Sequence, residues 1–75
     1  MGDLSLDKAK EKAARASKEA REVVAAGKMT PRNASRELID IYWGIYHRLG
    51  IKARAEFRPW FEAEHEKAEK EIGAI

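Results

Sequence analysis

Apolar residues return every third or fourth position through three punctuated stretches of this chain. In the first, Leu6, Ala9, Ala13, Ala16, Ala20 and Val23 follow one another at spacings of three or four. That period lays a narrow, mostly alanine stripe along one face of a helix. The spacing predicts a helix over about 5–26, with Asp3 or Ser5 as its cap, strong helix formers in its body and Gly27 at its close. Around the stripe, Glu11 and Arg15, Arg15 and Glu19, and Lys18 and Glu22 stand four apart, where opposite charges support a solvated helix. A stripe of small residues permits close helix approach, but a self-pairing coiled coil wants larger seam residues.

The second stretch has the clearest limits. Thr30 can cap, Pro31 fits the first helical position and Gly50 ends the run, which predicts a helix over about 31–49. Ala34, Leu38, Ile41, Tyr42, Ile45 and Leu49 form one stripe, and Ile39, Trp43 and Tyr46 a second, turned by about 100° at 3.6 residues per turn. So wide an apolar arc suits a helix that touches two neighbours. The third stretch meets Pro59, which disfavours helical geometry at Arg58. The favoured reading is a short helical turn over 52–57 and then a helix over about 59–72. Phe57, Trp60, Phe61, Glu64, Ala68 and Ile72 would share one face, with Glu64 at its edge. The fold expected is all-α, a compact three-helix bundle with the third helix starting or kinked at Pro59.

With 75 residues the chain suffices for a single domain over 1–75, whose core is marginal at this size. Hydrophobic residues at 44% exclude the composition of a disordered chain. Cysteine is absent, which removes disulfides and thiolate chemistry and agrees with a reducing compartment. No leader or membrane-length apolar run is visible, so the expectation is a cytoplasmic protein with no membrane association.

Charge is unevenly spread. Residues 1–27 carry +1, residues 28–58 carry +4 and residues 59–75 carry −3, within a formal net charge of +2. The basic middle, with Lys28, Arg32, Arg36, Arg48, Lys52, Arg54 and Arg58, raises a nucleic-acid reading. Against it, the second helix is apolar over half its circumference and the third is acidic, which repels a phosphate backbone. Catalysis has no recognisable motif: His47 reads as a surface histidine, and Ser5, Ser17 and Ser35 lack an activating partner in the sequence. Glu62 and His65 make a Glu-x-x-His pair of the kind used in di-iron bundles. Its further carboxylates would have to come from Glu37 or Asp40, which project from the polar arc, so no metal, cofactor or small-molecule substrate is expected.

Protein recognition carries the positive signal. Tyr42, Trp43, Tyr46, Trp60 and Phe61, with Ile39 beside them and Arg36, Arg48 and Arg58 near by, are rich in the residue types found at interface hot spots. The expected site is Ile39, Tyr42, Trp43, Tyr46, Arg36, Arg58, Trp60 and Phe61, offered by the second helix and the start of the third to a protein partner or a second copy. A binder engineered onto a small helical scaffold would carry this combination on one continuous surface. The alternative is a nucleic-acid-binding domain, or a small phage or microbial regulator, working through segment 28–58.

Overall fold

A computed structural model describes residues 4–74. Three helices follow in order: α1 over Leu6–Ala25, α2 over Pro31–His47 and α3 over Ile51–Ile72. Each packs against the other two, giving an all-α three-helix bundle of 38 × 18 × 16 Å. The starts of α1 and α2 are set by their caps. Ser5 Oγ accepts from the Lys8 N–H at 3.2 Å and Thr30 Oγ1 from the Asn33 N–H at 3.3 Å, with Pro31 at the first helical position. Asp3, the other cap expected for α1, lies outside the described residues. At the close of α1, Gly27 takes φ 72°, and the Gly27 and Lys28 N–H groups return to the Val24 and Val23 carbonyls. That backbone turn needs the left-handed conformation glycine tolerates.

The core divides its volume unequally. From α1 come only small residues, Ala9, Ala13, Ser17 and Ala20. The bulk comes from Leu38, Tyr42 and Leu49 on the α2 side and Phe57 and Phe61 on α3, each 1% exposed or less. A slim α1 brings its backbone close enough to close over the aromatic rings. Three positions differ from the apolar pattern, Ser17, Ser35 and Ile41. Ser17 is buried where Ala16 was expected, and Ile41, expected in the core stripe, stands 45% exposed. Ser17 fits because a serine is scarcely larger than alanine; its hydroxyl and that of Tyr42 are buried near one another without a hydrogen bond.

Pro59 neither starts α3 nor separates it from a short turn: the helix runs unbroken from Ile51 to Ile72 with Pro59 inside it. The ring leaves the Ala55 carbonyl without its helical donor, a local cost of about 3 kcal/mol. Phe57 and Phe61 flank the proline and both are wholly buried. Each contributes about 1.5–3 kcal/mol by burial, so the pair matches or exceeds that cost and holds both halves of the helix on one core. Pro59 itself is exposed.

At the other end of α3, a single side chain makes the tight α2–α3 connection. Arg54 Nε donates to the Tyr46 carbonyl at 3.1 Å and Nη2 to the His47 carbonyl at 2.9 Å. These are carbonyls at the end of α2, where the Tyr46 carbonyl also accepts from the Leu49 N–H at 3.1 Å and the helix dipole favours a cation.

Candidate protein-docking face

Ile39, Trp43 and Tyr46 lie along the flank of α2 that faces α3, and Arg54 and Arg58 are one turn apart on α3. The two helices run antiparallel, so the rows interleave. The Arg54 guanidinium sits over the Tyr46 ring at 5.3 Å and that of Arg58 over the Trp43 ring at 5.5 Å. Both distances are within the range of a cation–π attraction. Trp43 meets Tyr46 edge-on at 5.0 Å between centroids and Phe61 at 5.1 Å, the offset geometry that aromatic pairs prefer. His47 borders the group, 5.5 Å from Tyr46 and 6.3 Å from Trp43. Ile39, Trp43 and Tyr46 are half-buried; Arg36, His47 and Arg58 are exposed.

The expected site therefore separates into layers. Tyr42 and Phe61 are wholly buried, and their rings, 5.6 Å apart, back the face from within. Trp60 belongs to the opposite flank of α3, stacked on Phe57 at 5.6 Å with the Lys10 ammonium of α1 5.7 Å above it. It is half-buried there and does not join Trp43. Arg54 and His47 complete the face although neither was singled out for it. The signal was present in the spacing, because arginines four apart match a Trp and Tyr three apart across an antiparallel pair.

Below this face a polar cluster joins the same two helices. Ser35 Oγ donates to Glu69 Oε2 at 2.8 Å, and His65 Nε2 lies 3.2 Å from Ser35 Oγ and 3.1 Å from the Ser35 carbonyl. His65 Nδ1 stands 3.5 Å from Glu69 Oε1. The residues are those of a nucleophilic triad, but the arrangement is different. A carbonyl can only accept, so Nε2 carries the proton and offers the serine no basic lone pair, and the Ser35 proton is directed at the carboxylate. The cluster clasps α2 to α3. Glu62, the partner proposed for His65 in a metal pair, instead lies 3.8 Å from Arg58 at the surface, while His65 turns toward Ser35. Among the described residues no group of three or more His, Asp or Glu is arranged to hold a metal ion.

On the α1 side, burial raises the Tyr42 hydroxyl above its usual pKa of 10.0; the neighbouring Ser17 hydroxyl lowers it, Glu64 raises it and Arg21 lowers it. Arg21 also forms an ion pair with Glu71 that ties α1 to α3. A hollow of about 130 Å³ between α1 and α2 is lined by Ala16, Ala20, Val23, Met29, Leu38 and Ile41 among others. That is below the roughly 300 Å³ at which small-molecule sites begin. Two further depressions of about 350 Å³ are shallow and open to solvent. No described helix is long and apolar enough to cross a membrane. Compared with known proteins, the chain matches no family, no curated sequence and no solved structure.

Proposed function

We propose that this chain is a small, non-enzymatic protein-binding domain of the cytoplasm, whose α2–α3 face docks onto another protein. The observation that carries the reading is the pairing of two half-exposed rings, Trp43 and Tyr46, with Arg58 and Arg54 lying over them. Tyr42 and Phe61 support the rings from behind, so little side-chain freedom is lost on binding. A complementary surface would bring an apolar or aromatic side chain onto Trp43 and Tyr46 and carboxylates to Arg36 and Arg58. An engineered binder would hold all its aromatic anchors on one rigid surface. The placement of Trp60 on the far flank supports an evolved bundle instead.

Nucleic-acid binding through segment 28–58 is the weaker reading. Arg54 directs its donors to the end of α2 and Arg58 has Glu62 beside it, and the edge-packed rings present no free platform for base stacking. A photo-crosslinking residue at Ile39 or Arg58, with Lys67 as control, tests the proposal in cells that produce the protein. The expected outcome is a discrete protein adduct from positions 39 and 58, lost with Tyr46→Ala and absent at position 67. Equal labelling at all three positions, or adducts to nucleic acid that weaken steeply with salt, would reject it.

A further inference from the structure

The opposite flank of α2 carries a second row of regularly spaced residues. Glu37, Ile41, Gly44 and Arg48 follow at spacings of four, three and four, and all four are exposed. At 100° per residue they fall within an arc of about 60°, turned about 130–170° away from the row of Ile39, Trp43 and Tyr46. Ile41 is 45% exposed. Gly44 sits inside the helix with an ordinary φ, and a Cβ built on it would meet nothing within 4 Å. A glycine there costs about 0.5–1 kcal/mol of helix stability relative to alanine, with no return within the chain.

The spacing reads the same in both directions. Laid antiparallel against itself about a two-fold axis between residues 42 and 43, the stripe sets Glu37 against Arg48 of the second copy and Ile41 against its Gly44. The same contacts recur on the other side of the axis, as a two-fold interface requires. A protruding side chain meets a position with none, and an anion meets a cation. Arg48 has an interaction within its own chain as well, and five guanidinium donors serve both. The flanking α1 residues continue the complementarity. Lys12 and Arg15 border the groove at the Arg48 end, and Glu19 borders it at both ends, beside Glu37 and beside Arg48.

We infer that the chain self-associates as an antiparallel two-fold dimer through the Glu37, Ile41, Gly44 and Arg48 stripe of α2, the Ile41 side chain of each copy seating over Gly44 of the other. The stripe is only about 16 Å long at 1.5 Å per residue. The dimer is therefore at the weak end of specific interfaces, populated on the order of 0.1–1 mM. The aromatic face stays open in it.

Sedimentation equilibrium on the full chain up to about 1 mM, with far-UV circular dichroism to verify folding, tests this. Glu37→Arg and Arg48→Glu each set like charges opposite one another, and each is expected to weaken dimerisation by about tenfold. Combining the two restores opposite charges and with them the dimer. Gly44→Gln should abolish the dimer while raising the melting temperature of the monomer, a combination that partial unfolding does not produce. Arg58→Glu, on the other face, should leave the dimer intact. A chain monomeric at the highest concentration, a dimer indifferent to the charge exchanges, or one lost with Arg58→Glu would overturn the inference. None of these results touches the crosslinking test, which reads the aromatic face with a different partner.

Discussion

Arg54 holds the shortest connection of the fold, and its capping of α2 is absent from any one-dimensional pattern. In the sequence it is one of seven cations in a basic segment; in the fold its donors close the end of α2 and its plane covers Tyr46. Arg54→Ala should lower stability by about 1–2 kcal/mol, read by urea unfolding, because two charge-assisted bonds are lost and only the Tyr46 carbonyl keeps a backbone donor, the Leu49 N–H. A change within about 0.3 kcal/mol would show that water caps α2 equally well. Ser35 was illegible for a related reason, since only its tertiary neighbours, His65 and Glu69, bring its hydroxyl indoors. The Tyr42 hydroxyl makes a further prediction. With its folded pKa raised above 10.0, both states keep the proton below that value, and above it the unfolded chain ionises first. Stability should therefore fall as pH rises past about 10, and Tyr42→Phe should flatten that alkaline limb. An unchanged slope in the variant would assign the loss to other groups.

At the scale of elements, helix starts were the most legible features. Ser5, Thr30 and Pro31 announce the beginnings of α1 and α2 through side-chain chemistry that acts within one turn. The continuity of α3 could not be read the same way. Local preference argues for a break at Pro59, and the restraint that defeats it comes from Phe57 and Phe61 meeting a core built by the other two helices. Pro59→Ala returns an N–H to the Ala55 carbonyl and should stabilise the domain by about 1–2 kcal/mol, after allowance for the freer unfolded chain. A loss of stability in thermal melts would mean that the proline's local geometry is needed to seat the two rings. Ile41 was misassigned to the core because a six-residue apolar stripe is wider than the contact α1 can cover; the slim alanine face leaves its edge in solvent.

For the whole molecule, size decides how much any one contact matters. A 75-residue bundle has only a few kcal/mol of net stability, and Phe61 touches Tyr42, Trp43, Tyr46 and Phe57 at once. Phe61→Ala, at about 3–5 kcal/mol, should leave the chain largely unfolded at 25 °C by circular dichroism. A cooperative melt near that of the parent would show that the rings repack around the cavity. The residue types of the docking face were legible, but their division was not: the sequence placed Trp43 and Trp60 together, whereas Trp60 stands on the flank of α3 that meets Lys10 of α1, away from the flank whose Arg58 covers Trp43. The central claim is that Trp43 stands at an open face. Acrylamide quenching of the Trp60→Phe chain, in which Trp43 is the sole indole, tests it directly across dilute and concentrated samples. The predicted result is accessible emission at both concentrations, because self-association uses the other flank of α2. Emission shielded at every concentration would make Trp43 part of the core, and shielding that grows with concentration would place the self-contact on this face; either result contradicts an open docking surface.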